Sequence, residues 1–191
     1  MDARLSSTPL LAYVFWHWPS AEVAASNYEA DLLRFHSSLA SRPPAGLVRS
    51  DTFGVSGAPW LPERRESYED WYLLRDWAAL GQLNQDAVAH DHAENHDRVA
   101  AEAQAGAGAL YGLRAGEDAP GTAVATWFAK PPDWSYAELD GALQEVLNEG
   151  FSLWRRLMVL GPAPEFCLRG SDAPPLRAPL QGLTIACRAL R

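Results

Sequence analysis

Leu10-Leu11-Ala12-Tyr13-Val14-Phe15-Trp16-His17-Trp18-Pro19 and Thr122-Ala123-Val124-Ala125-Thr126-Trp127-Phe128-Ala129-Lys130-Pro131-Pro132 decide how this chain reads. Each is an apolar run with apolar residues on both alternating faces, as a strand buried on both sides requires. Each carries a basic or imidazole side chain near its end, His17 two residues before Pro19 and Lys130 directly before Pro131. Each is then followed by an amphipathic helix. After the first run, Ala24, Tyr28, Leu32, Phe35 and Leu39 recur at helical spacing, and Ser20 is placed to cap that helix. After the second, Ser135 and Glu138 match a capping box, and Leu139, Leu143, Val146 and Leu147 form the apolar stripe.

Outward from these two starts the element order repeats. Arg42-Pro43-Pro44-Ala45-Gly46 ends the first helix. Leu47 to Val55 alternates, with Leu47, Arg49, Asp51, Phe53 and Val55 on one face, and its polar content reads as an edge strand. Tyr68 to Leu74 reads as a second interior strand. Trp77, Leu80, Asn84 and Val88 mark a helix face, with Leu83 and Ala87 beside it. The helix resumes through Val99 to Ala105, Gly106-Ala107-Gly108 breaks it, and Ala109 to Leu113 is a short strand. In the second half Leu153 to Leu160, Glu165 to Arg169 and Leu183 to Cys187 are strands. A Pro-rich stretch, Ser171 to Gly182, stands where a second helix is expected.

The chain thus reads as α+β: two ferredoxin-like βαββαβ halves, residues 1–118 and 119–191, the second lacking its second helix. On the paired strand–helix starts, and on Tyr68 to Val88, where an aromatic strand runs into Trp77-Ala78-Ala79-Leu80-Gly81-Gln82-Leu83-Asn84, the chain resembles the dimeric α+β barrel superfamily with both halves fused. That resemblance implies two sheets pressed together and a pocket, either between helices and sheet or between the two sheets. The superfamily includes cofactor-independent monooxygenases, haem-degrading enzymes, chlorite-dismutase-like proteins and stress-response proteins. It implies a pocket more than a reaction.

Composition narrows the partners. The formal net charge is −8, which opposes binding to phosphate backbones, so nucleic acid is not expected. Basic residues are scattered, and Arg64-Arg65 and Arg155-Arg156 are only pairs. No apolar run is long enough for a bilayer, and the start lacks a signal peptide's long apolar stretch, so a cytoplasmic protein is expected. Abundant Ala, Arg, Gly and Pro suggest a bacterial gene. Hydrophobic residues make up 48% of the 191, enough for a core without staples. Cys167 and Cys187 read as buried small hydrophobes on non-adjacent strands, not a bridge. Fusion removes the need to dimerise for closure and leaves a homo-oligomer open.

Candidate site residues are His17, His36 and Trp71. His17 ends a strand in phase with Tyr13 and Phe15, where a neutral imidazole can move a proton near neutral pH. His36 follows Leu32 by one helical turn and can reach the sheet. Trp71 is one of eight tryptophans, which suit either a core or an aromatic-lined pocket. His92 and His96 share a helix face at a spacing that could chelate a metal, but Glu94 points elsewhere and a solvated helix start explains them as well. No metal site is assigned, and no motif names a cofactor. The expected partner is an apolar or aromatic small molecule. Three readings stand: a small-molecule binder or enzyme of cofactor-independent oxygenase type, a haem protein that takes an axial ligand from the five histidines, and a non-catalytic structural or partner-binding protein.

Overall fold

The computed structural model describes residues 10–63, 66–118, 121–158 and 160–190; the stretch before Leu10 and the Arg64-Arg65 pair lie outside them. The chain runs β1 (Leu11–Pro19), α1 (Ala25–Ser41), β2 (Leu47–Val55), β3 (Ser67–Leu74), α2 (Trp77–Asp86), α3 (His90–Glu102), β4 (Ala103–Ala115), β5 (Val124–Phe128), α4 (Tyr136–Asn148), β6 (Ser152–Arg156), β7 (Phe166–Gly170), β8 (Gly182–Ala186) and β9 (Arg188–Ala189).

The strand order is β8-β5-β7-β6-β4-β1-β3-β2-β9. The first four strands therefore lie in the order β4-β1-β3-β2, and the next four repeat that ferredoxin-like order as β8-β5-β7-β6. The interior strands of each set are those whose two faces are both apolar. The halves do not form two separate sheets pressed together. β4 pairs with β6, so one sheet runs through both halves. β8 pairs with β5 at one edge, and β9, one residue later in the chain, pairs with β2 at the other. One continuous run of chain thus ties both edges, closing the sheet into a barrel with no long free edge.

Alternation sorts the side chains. One face of each strand fills the barrel, where Trp16, Trp71, Trp127 and Trp154 pack edge to face with ring centroids 5.3–5.4 Å apart for Trp71–Trp154 and Trp16–Trp127. Glu69 sits among them, accepting 2.6 Å hydrogen bonds from the indoles of Trp16 and Trp71. Burial pushes its carboxyl up, although both indoles and nearby Arg169 oppose the shift. Arg169 lies over the Trp71 ring and pairs with Asp118 at 3.0 Å. Cys167 and Cys187 are buried free thiols, and burial pushes both up, which leaves them inert.

Several local expectations are corrected. Helix α1 starts at Ala25 with Ala24 at the cap position and no side-chain cap; Ser20 instead opens the preceding turn, its carbonyl accepting from Val23. A bulge at Val48 shifts the β2 register, so Leu47 packs on the helix side while Phe53 and Val55 face the barrel. Helix α2, capped by the Asp76 side chain, buries Ala79 and Leu83, and Trp77 and Val88 are exposed. Gly106-Ala107-Gly108 does not break a helix; β4 begins at Ala103 and runs through it. The strand read over Leu153 to Leu160 ends at Arg156. The Ser135–Glu138 capping box is present as read.

The outer face of the second half is filled. Leu139, Leu143 and Val146 of α4 pack on Phe128, Phe166 and Leu168, and Leu176 and Leu180 of the Pro-rich stretch join them. Removing a barrel tryptophan should be costly: Trp127→Ala is expected to destabilise by about 3–5 kcal/mol, read as a lower denaturant midpoint with an unchanged slope.

Candidate functional site

The helix-side face of the first half holds a cavity of about 910 Å³ between the sheet and α1, α2 and α3; the second half carries a smaller hollow of about 410 Å³ beside the Lys130–Trp134 loop. Strand β1 sends Tyr13, Phe15 and His17 to this face, at the period of two that a pleated strand imposes. Antiparallel pairing sets Tyr13 opposite Tyr72, Phe15 opposite Asp70 and His17 opposite Tyr68. The rings run nearly parallel, Tyr72–Tyr13, Tyr13–Phe15 and Phe15–His17 at interplanar angles of 24°, 20° and 18°. Helix α1 covers them. Tyr28, Leu32 and His36 are spaced by four, so all three project towards the sheet.

These elements converge on one buried carboxylate. Asp70 Oδ2 lies 3.2 Å from His17 Nε2 and accepts a 2.9 Å hydrogen bond from the Tyr72 hydroxyl. Asp70 Oδ1 lies 3.4 Å from His36 Nε2. On the other side of the His17 ring, Nδ1 is 2.7 Å from the Tyr28 hydroxyl. Burial opposes the charge on Asp70, but the imidazoles of His17 and His36 outweigh it and hold the carboxyl well below the usual range. Burial, together with the Asp70 charge, pushes Tyr28 and Tyr72 up, so both stay protonated donors. An ionised carboxylate only accepts. The His17 proton therefore belongs on Nε2, facing Asp70, and its Nδ1 lone pair accepts from Tyr28.

The site thus brings His17 and His36 to one carboxylate. Trp71, the next residue after Asp70, points the other way into the barrel and touches no part of the cavity. Asp70, Tyr28 and Tyr72 were not singled out from the sequence. The available signal was a pair of acids, Glu69-Asp70, inside a strand otherwise apolar on both faces: buried charges need partners.

The other polar candidates lie apart from the Asp70 cluster. His92 is buried, 3.0 Å from the Ser38 hydroxyl and 3.0 Å from the Arg42 carbonyl, pinning α3 to the end of α1. This is not a solvated helix start, because α1 packs over it. His96 lies at the cavity rim beside Asp97. Among the described residues no group of three or more His, Cys, Asp or Glu side chains could hold a metal ion. Lys130, the counterpart of His17, bonds back to carbonyls of its own loop, those of Pro131 and Trp134. Arg155 pairs with Glu165 at 2.9 Å. No helix of the described residues is long and apolar enough to cross a membrane.

No family model and no curated protein matches the chain in sequence. Solved structures share its fold. A candidate monooxygenase from Fusobacterium nucleatum superposes with a TM-score of 0.63 at 11% identity, covering 96% of this chain and 94% of its own. A candidate monooxygenase from Lactobacillus acidophilus gives 0.59 at 10% identity, covering 95% of each. An anthrone oxidase-like protein gives 0.53 at 12% identity, covering 95% of this chain and 94% of its own. The chain has the dimeric α+β barrel fold in single-chain form.

Asp70→Asn should separate wild type from variant in a pH-dependent way. Removing the charge between two imidazoles is expected to cost about 3–5 kcal/mol at pH 7. Asp70 has a depressed pKa, so its contribution is present above the unfolded value and lost on acidification. The gap in urea stability should therefore narrow as pH falls below about 4; a gap that does not change with pH would contradict this assignment.

Proposed function

We propose that this single-chain barrel is an enzyme that takes a proton from an acidic C–H or O–H group of an aromatic small molecule in the helix-side cavity and passes the anion to molecular oxygen. The observation that carries this reading is the buried line Tyr28–His17–Asp70 opening on an apolar cavity of about 910 Å³. The Tyr28 oxygen accepts the substrate proton as its own proton moves to His17 Nδ1. The imidazolium so formed faces the Asp70 carboxylate, which stabilises it and keeps the ring oriented. Tyr72 and His36 hold the carboxylate from its other sides. The apolar walls exclude water and favour an anion whose charge is spread over a ring system.

One structural neighbour bears the name anthrone oxidase-like protein. An anthrone has a methylene between two aryl rings, acidic because its anion is aromatic. In the overall reaction its CH2 becomes C=O: one oxygen atom of O2 enters the carbonyl, and the other leaves as water with both methylene hydrogens. The substrate supplies all the electrons, so the protein needs only to bind, deprotonate and shield. A haem would not find its axial ligand in His17, whose ring nitrogens face Tyr28 and Asp70, or in His36 Nε2, which faces the same carboxylate; His96, at the cavity rim, is the histidine that would have to supply it.

The test is aerobic turnover of anthrone, followed as anthraquinone absorbance. His17→Phe should lower kcat by about 10²–10⁴-fold while retaining binding. Wild-type turnover no faster than in buffer, or a variant as fast as wild type, would discard the reading.

A further inference from the structure

Tyr13 and Phe15 could reach so far across the cavity floor only if the neighbouring strand offered no side chain there. Gly108 and Gly106 of β4 meet that need. A Cβ on Gly108 would stand 2.7 Å from the Tyr13 hydroxyl oxygen and 2.8 Å from its Cε2. A Cβ on Gly106 would stand 2.4 Å from Phe15 Cζ, and also 2.9 Å from the Trp16 carbonyl oxygen. Both separations are far inside van der Waals contact. Neither glycine is needed for backbone conformation, since neither has a positive φ. Glycine inside a strand weakens it, so its presence twice in three residues calls for a local reason, and close approach is one.

We propose that Gly106 and Gly108 are the specificity determinants of the cavity: by letting the Phe15 and Tyr13 rings lie down against β4, they open the space for a ligand of several fused rings. This rests on the aromatic-ligand reading above and extends it to ligand size. With a methyl at residue 108, the Tyr13 ring must rise off β4, and the open space beside it is the cavity. A one-ring phenol still fits in what remains. A three-ring ligand does not. Gly108 is the cleaner test, because its three nearest contacts are all side-chain atoms of Tyr13.

The experiment is calorimetric titration of the full chain with two probes, 1-hydroxyanthraquinone and phenol. Gly108→Ala should weaken the three-ring probe at least tenfold and change phenol less than threefold. The double variant Gly108→Ala with Tyr13→Leu, which removes the displaced ring, should recover the three-ring probe. Equal effects on both probes, or no effect on either, would overturn the proposal. If Gly108→Ala fails to fold, the same clash requires that the double variant folds; failure of both overturns it as well. Wild type that binds neither probe is a different result, which removes the functional reading and this inference with it.

Discussion

Strand β3 carries two adjacent acids, and the pleat sends them to opposite sides of the sheet. Glu69 enters the barrel and Asp70 enters the helix layer. Neither can reach water, so each must be met by donors. The barrel answers Glu69 with two indole N–H groups, and the Arg169–Asp118 pair lies nearby. The helix layer answers Asp70 with two imidazoles and a phenol. The position of α1 over the sheet follows from this need, since His36 and Tyr28 must both arrive at the Asp70–His17 pair. Helix α3 is then fixed to α1 by His92.

Four tryptophans pack inside the barrel, and the cavity of about 910 Å³ lies outside it, between the sheet and the helices. The two halves diverge there for a plain packing reason. In the first half, α2 and α3 stand off the sheet over small residues, among them Ala105, Gly106 and Gly108. In the second half no second helix occurs among the described residues, and Leu176 and Leu180 drop directly onto α4 and the strands. The proline-rich connection thereby makes the outer faces of the two halves differ. Closure of the sheet by β8 and β9 keeps the two halves in one register without a second chain.

The element order, the apolar faces of α1 and α4, the capping box and the interior strands were legible because period and burial are coupled residue by residue. The Val48 bulge was not, because one inserted residue leaves composition unchanged and flips every later side chain. The face of α2 was misjudged because Trp77 looks like a core residue and is exposed. Gly106 and Gly108 read as breakers because nothing in a linear sequence says that two rings from another strand lie over them.

By itself the sequence determined which segments could be strands or helices, that the pattern occurs twice, that the second helix is missing once, that His17 shares a strand face with Tyr13 and Phe15, and that His36 stands where a helix can reach the sheet. These follow from local periodicity. Only the tertiary structure decided that both imidazoles share Asp70, that Tyr28 completes the line, that Trp71 turns away, and that the space lies outside the barrel. Those facts depend on register between strands distant in the chain and on which element covers which face, and pairwise contacts of that kind have no period to read.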